Sequence, residues 1–499
     1  MARPSRTVME PARETPLVAD VEVGVVGGGT AGVMAALGAA RAGARVAVLE
    51  RLGNLGGMLS SGLMGHFGNR FRDQRGRDIV AGAPRELLGR IIAAGATPFA
   101  TLDDALNADD MLFYRHEHAG NECLRMLDEA GVGLWLHACF AGAAPAPDGG
   151  YDLVFESKGG RLAIRARQVV DATGEADVAR RLGAPIREDL RRRYSWGLLF
   201  EMGLVDLERY GAFLATCKPE CPEWTPWLAA TLGLSEAALA QDTYWGEWLD
   251  RRPRAWPFRR QIMRAVDDGA LDLVRTLPEG GSVRYGWDGF WPEPWHGKDV
   301  VHANVCMVTG LDPSSGRHVS VAEAGARRYA FDFVRFLRAY IPGFERAVVR
   351  AMSAQTVPRG GIEIVGEAEA VLHGAGSPAP AICLSGFAAV GLPLGMFVPR
   401  GVPDLLVAGR CADHGYAFRP SVSCMAQGFS CGVIAAMAAR RQVTPSRLDP
   451  AEWQAALRQH GVLLEPGPES GRGRPPQPRL PGVPSHDPSD GARRARKLS

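Results

Sequence analysis

"VEVGVVGGGTAGVMAALGAARAGARVAVLE", residues 21–50, holds a strand, a glycine turn, a helix and a second strand in sequence. "VEVGVV" is a short β-rich run. "VMAALGAARAGA" carries the small and apolar side chains of a helix packed closely on a sheet, and "RVAVLE" reads as a buried strand ending in Glu50. Between them Gly27, Gly29 and Gly32 keep the G-x-G-x-x-G spacing. The first glycine suits a tight turn, the second the close approach of a diphosphate, the third contact between helix and strand. The diphosphate would lie at the positive N-terminus of that helix, beside Thr30 and Ala31. Glu50, followed by Arg51, stands where a carboxylate accepts both hydroxyls of a ribose and repels a 2′-phosphate. A purely structural glycine turn is the alternative. Strand, turn, helix, strand and acid in the required order favour a dinucleotide site, without separating NAD from FAD.

Three further stretches bear on that choice. "LGNLGGMLSSG", residues 52–62, is a second glycine cluster directly after the ribose position. It extends the nucleotide track past the adenosine half, with Gly56, Gly57 and Met58 thinning the chain and Ser60 and Ser61 available for hydrogen bonds. After a helix and short strand within residues 115–140, residues 151–185 read as a hairpin turning at "KGG" and running into "DATG", Asp171 to Gly174. A hairpin leading into that tetrapeptide closes the nucleotide sheet of many flavoproteins. Residues 403–440, "PDLLVAGRCADHGYAFRPSVSCMAQGFSCGVIAAMAAR", again give strand, glycine turn and apolar helix, with the strand ending at Gly409 and the helix beginning near Ser423. This segment lies about 380 residues beyond the first glycine turn, so the nucleotide fold is discontinuous in sequence. Such a helix can aim its N-terminus at the pyrimidine edge of a flavin and stabilise the charge of the reduced ring.

Together "VGGGTAGVMAA", "LGGMLSSGL", "VVDATGEADVARRLGAP", "IPGFERA" and "LLVAGRCADHGYAFRPSVSCMAQGFSCGVIAA" resemble the FAD-dependent oxidoreductases of the glutathione-reductase-like superfold, relatives of fumarate reductase and thiazole-biosynthesis flavoproteins. The likeness runs from Asp20 to Arg440. It implies an α/β enzyme with noncovalently bound FAD, a Rossmann-like FAD-binding domain split in sequence, and an inserted α+β substrate domain. Carried onto this chain, it implies that Gly27, Gly29 and Gly32 hold the diphosphate and Glu50 the ribose, that Gly56 and Gly57 pass close to diphosphate and flavin, and that Gly174, Gly409, Gln427 and Gly428 lie near the cofactor. One departure stands in "VPRGGIEIVGEAEA": Arg359 is kept where the family often has an Arg-Glu-Thr-Arg run, and Gly360, Gly361 and Ile362 follow it. The expected division is a flexible N-terminus over 1–18, an FAD-binding domain from 19–75, 112–189 and 355–440, a substrate or cap domain over 190–354, and a disordered tail over 465–499.

Flavin chemistry asks the protein for orientation, a proton donor or acceptor, and charge near the ring. The candidates are His66, His302, Arg359, Arg410, His414, Tyr416 and Arg419, of which His66 and His414 flank the flavin segments. Arg359, Arg410 or Arg419 would clamp a carboxylate through paired hydrogen bonds, or would instead pair a structural acid. Tryptophans between Trp224 and Trp295 line a pocket or simply pack.

The bulk numbers narrow the partners. With 57 basic and 55 acidic residues the net charge is +2, which argues against nucleic acid or an acidic membrane surface. Nine scattered cysteines without a CxxC pair make no disulfide framework and fit a reducing, cytoplasmic setting; no metal site is expected. No apolar stretch suggests a signal peptide or a spanning helix. The leading reading is hydride transfer between a small organic substrate and flavin N5. A flavin monooxygenase using NAD(P)H and oxygen, and an FAD-carrying electron-transfer subunit, are the alternatives. The substrate, the electron acceptor and a homo-oligomeric state stay open.

Overall fold

The computed structural model describes residues 7–68, 71–73, 75–108, 111–188, 196–218, 221–242, 245, 258–292, 297, 299–367, 380–385, 389–414 and 418–468. Tyr416, residues 1–6 and the chain beyond 468 lie outside them.

The apolar runs of the opening motif become parallel strands buried on both faces, as their lack of alternation requires. Leu17–Val26 pairs in parallel with Val46–Glu50 on one side and with Gly160–Asp171 on the other, in a register that sets Val25 against Val48 and Val26 against Asp171. Gly133–Leu136 extends the sheet beyond Val46–Glu50. The far edge of Gly160–Asp171 is shared: the antiparallel hairpin strand Tyr151–Ser157 takes its first part, and Leu405–Val407 pairs in parallel with its last three residues. The late segment therefore completes the sheet begun at residue 17, which makes the Rossmann-like layer discontinuous.

Two helices cross on this sheet at backbone distance. A Cβ on Gly38 would lie 2.3 Å from the carbonyl oxygen of Phe429, and one on Gly432 would lie 1.9 Å from that of Ala35. Only glycine lets the helices Thr30–Arg41 and Ser421–Arg441 approach this closely. The later helix is long and apolar enough to cross a membrane, yet 94% of that apolar window is buried inside the protein. It begins at Ser421, two residues earlier than its sequence suggests, because Pro420 occupies the capping position. The helices Ala83–Ala93 and Leu102–Asn107, and Trp453 of Pro450–Gln459, share this hydrophobic core although the sequence reading assigned them to no domain.

A second, antiparallel sheet occupies the middle of the chain, in the order Val274–Thr276, Ser282–Pro292, Val301–Thr309, Trp196–Gly203, Val348–Met352, with Val357–Pro358 also pairing to Trp196–Gly203. Its faces follow the period of two. Trp196, Leu198, Phe200 and Met202 pack in one core with Phe333 and Leu337 of the helix Gly316–Tyr340. Glu201, His302 and Asn304, all buried, belong to the opposite, polar face.

Candidate cofactor track and substrate face

The glycines of the opening turn do different work. A Cβ on Gly32 would meet the Gly27 carbonyl oxygen at 1.7 Å, and one on Gly27 would meet that of Ala172 at 2.5 Å, so both are consumed by packing. Gly29, at the cap of the helix Thr30–Arg41, has nothing within 4 Å of its Cβ position. That helix start has no side-chain cap and no acidic residue in its first turn. An open backbone cradle at an uncapped helix N-terminus fits a diphosphate.

The second glycine cluster is the other wall of this cradle. Gly56 donates its N–H to the Gly28 carbonyl at 2.8 Å, and the Thr30 hydroxyl donates to the Gly56 carbonyl at 3.1 Å. Gly57, at φ +56°, passes so close to Gly29 that a Cβ would lie 2.9 Å from its Cα. Met58 lies in the short helical turn Gly57–Leu59. Ser60 is buried and donates to the Leu55 carbonyl, whereas the Ser61 carbonyl accepts the Ala354 N–H at 2.8 Å. Gly409 closes the group, its Cβ position 3.3 Å from Cβ of Ala31.

Glu50 accepts the Gly28 N–H at 2.6 Å and the Leu52 N–H at 2.7 Å, one on each carboxylate oxygen. Each oxygen keeps a second lone pair for a ribose hydroxyl. Replacing Glu50 with Gln turns one acceptor into an amide that faces an N–H. The expected result is a folded protein that loses FAD on dilution about tenfold more readily, consistent with one charge-assisted bond; unchanged retention in equilibrium dialysis would remove Glu50 from the ribose site. Arg51 donates to the Gln355 side chain, which ties the start of this loop to the segment leaving the second sheet.

At the start of "DATG", buried Asp171 accepts hydrogen bonds from the Thr173 N–H and hydroxyl and from the Val178 and Ala179 N–H groups. Burial nevertheless pushes its carboxyl up to about 6. Beside Gly174, Arg410 pairs with Glu175 and donates to the Pro358 carbonyl. Of the two roles open to Arg410, the structure shows the pairing with an acid. Burial raises Glu175 to about 7, against the lowering effect of Arg410. Below these values the folded protein holds protons that the unfolded chain has already lost, so stability falls as pH rises from about 4.5 to about 7. Thermal midpoints should follow that slope, and Glu175→Gln should flatten it; an unchanged slope would contradict the buried, raised carboxyl.

Gln427 and His414 form a buried group behind this turn. Gln427 accepts the Gly409 N–H at 3.2 Å, lies 3.1 Å from His414 Nε2, and donates to the Phe418 carbonyl at 2.9 Å. His414 is wholly buried, edge-on to the rings of Phe397 and Phe418. This setting suits fixing the Gly409 turn rather than meeting substrate. Gly428 faces the glycine helix, where a Cβ would lie 2.0 Å from the Ala31 carbonyl oxygen, so it has a packing reason of its own.

The polar face of the second sheet is tied to the cofactor track. Ser353 donates its N–H to the Leu199 carbonyl at 2.9 Å, and its neighbour Ala354 donates to Ser61. Arg359 and Asn304 converge above Gly197: a Cβ there would lie 3.3 Å from Arg359 Nη2 and 3.2 Å from Asn304 Oδ1. His302 stands opposite Glu201 in the register. His66, in the strand His66–Gly68, lies edge-on to Phe113 with ring centroids 6.1 Å apart. Sequence reasoning missed Glu175, Glu201 and Asn304; polar residues at alternate places in "VVHANVCMVTG" were the signal for Asn304 beside His302. All nine cysteines are free and six are buried, with burial pushing Cys123 and Cys424 up to about 12, as inert thiols require.

A family model described as FAD dependent oxidoreductase matches residues 22–373 and 372–457. No curated protein matches the sequence. Similar solved structures include a geranylgeranyl bacteriochlorophyll reductase-like protein from Thermoplasma acidophilum, 12% identical, covering 88% of this chain and 84% of that one with a TM-score of 0.43. OxyS anhydrotetracycline hydroxylase from Streptomyces rimosus is 14% identical over 88% of this chain and 66% of its own, with a TM-score of 0.40. The p-nitrophenol 4-monooxygenase PnpA from Pseudomonas putida is 15% identical over 89% and 81%, with a TM-score of 0.34.

Proposed function

The chain belongs to the FAD-dependent oxidoreductase family, and from that premise we propose that it moves a hydride between a small organic acid and flavin N5. When bound, FAD supplies a two-electron acceptor or donor. Gly29, Gly56, Gly57 and Gly409 form its track, and Glu50 takes the ribose. Arg359 holds the substrate carboxylate, with Asn304 beside it to accept or donate one further hydrogen bond. The observation that supports this reading is the pair of backbone hydrogen bonds from Leu199 through Ser353 and Ala354 to Ser61, which ties the strand carrying Glu201 to the second glycine cluster.

Arg410 pairs with Glu175 and donates to the Pro358 carbonyl, and Arg359 is the arginine that lies beside Asn304 over Gly197 on the polar sheet face. His66 follows the cofactor loop directly and serves as the proton-transferring group. His66→Ala should keep the flavin spectrum and slow substrate-driven bleaching about a hundredfold; bleaching at the original rate would take His66 out of the reaction. Anaerobic bleaching by small acids tests the reaction itself. Slow return of colour in air supports hydride transfer as the physiological step, whereas rapid return with oxygen appearing in the product would replace it with monooxygenation.

A further inference from the structure

The helix His116–Glu129 packs on the cofactor wall, where a Cβ on Gly120 would lie 2.9 Å from Cβ of Ser60. Its first residues meet the polar face of the second sheet. Glu201, 3% exposed, brings Oε1 to 3.4 Å from Nδ1 of His116. The other ring nitrogen, Nε2, lies 3.2 Å from Oε1 of Glu117, whose side chain is 61% exposed. A buried carboxylate, an imidazole and a surface carboxylate therefore run in order from the sheet face to solvent.

An ion pair holding two layers together would explain one of these contacts. It does not ask for an imidazole with a carboxylate at each nitrogen, one inside and one outside. That arrangement is the shape of a proton shuttle, because imidazole can take a proton at one nitrogen and release one from the other. Simple packing would not require a carboxylic side chain buried at this place. Among the described residues no group of three or more His, Cys, Asp or Glu side chains is arranged for a metal ion, so this line is not a metal site.

We propose that Glu201, His116 and Glu117 carry protons between the substrate face and solvent. The proposal rests on the polar face being the one that meets substrate and cofactor. In oxidation the substrate loses a hydride to FAD from carbon and a proton from the adjoining oxygen or nitrogen. That O–H or N–H bond breaks as the proton goes first to His66, the proton-transferring group, and from there to Glu201. Glu201 passes it to Nδ1 of His116, the proton on Nε2 leaves past Glu117 to water, and reduction runs the path in reverse. Glu117 is held ionised, since its hydrogen bond with His116 lowers its carboxyl to about 2, with Arg115 adding to the effect.

The test needs no substrate. FAD-loaded protein is reduced by a laser flash with EDTA as the electron source, in weak buffer with a pH-indicator dye. Each flavin reduced then takes up two electrons and, from solvent through Glu117, His116 and Glu201, one proton, and the dye times that proton against bleaching. In the unaltered protein the two traces should coincide. In His116→Gln the proton should lag about a hundredfold, and in Glu117→Gln, a surface change that leaves the fold intact, about threefold. Added imidazole should shorten the lag in His116→Ala. Coincident traces in both Gln variants, or a lag in His116→Ala that imidazole leaves unchanged, would overturn the path. Because no substrate is present, either result is independent of whether Arg359 binds a carboxylate.

Discussion

Gly32→Ala should yield protein with less than about a tenth of the normal flavin content and a markedly lowered thermal midpoint. The added methyl would sit 1.7 Å from the Gly27 carbonyl oxygen. That turn has little freedom to shift, because the Gly27 N–H donates to the Leu49 carbonyl at 2.8 Å and even a Cβ on Gly27 would lie 2.5 Å from the Ala172 carbonyl oxygen. Overpacking against backbone costs about 3 kcal/mol or more, a large part of the roughly 5–15 kcal/mol that holds a domain folded. Gly29→Ala is the informative companion. Its Cβ meets nothing within 4 Å and its φ of −74° is open to alanine, so the apoprotein should melt normally while its affinity for FAD falls. If both variants lost stability equally, or if Gly29→Ala bound FAD as well as the parent, the diphosphate would not lie over Gly29. Flavin-to-protein ratios and melting with and without added FAD read both results.

Arg359→Ala should keep its flavin and lose about a hundredfold or more in the kcat/KM of substrate-driven bleaching. Removing one member of a desolvated charge pair costs about 2–5 kcal/mol, and the methyl group cannot replace the paired donors of guanidinium. Arg359→Lys should recover only part of the loss, because ammonium restores the charge without the fork. A substrate lacking the carboxylate should react equally poorly with parent and variant. Full activity in Arg359→Ala would move the anion site elsewhere.

How much of this was legible in the sequence depended on whether the cause was local. The turn at Gly27, the end of the strand at Asp171 and the turn at Gly409 are written in short spacings, because the positive φ of Gly27 and Gly409 demands glycine locally. The strands of the second sheet could be read from "YSWGLLFEMGLVD" and "VVHANVCMVTGLD", and they form at Trp196–Gly203 and Val301–Thr309. Partners distant in the chain left no such mark. Arg410 looked equally suited to substrate or to an acid until the fold brought Glu175 beside it from 235 residues away. His414 flanks a flavin segment in sequence, yet its ring is enclosed by Phe397 and Phe418, and only packing reveals that. His116 and Glu201 belong to different layers, and nothing near either residue announces the other. The second glycine cluster was read as chain thinned to pass a long cofactor. Its close approach to Gly29 gives Gly57 a packing reason of its own, since a Cβ there would lie 2.9 Å from the Gly29 Cα.

Substrate recognition through a carboxylate held by Arg359, facing FAD on the glycine track, is the proposal on which the rest depends. Its most direct test is anaerobic bleaching of the FAD-loaded protein by a panel of small carboxylic acids, each paired with its amide. One or more acids should bleach the flavin, and the matching amides should do so about a hundredfold more slowly. Equal bleaching by an acid and its amide, or bleaching confined to compounds without a carboxylate, would contradict it.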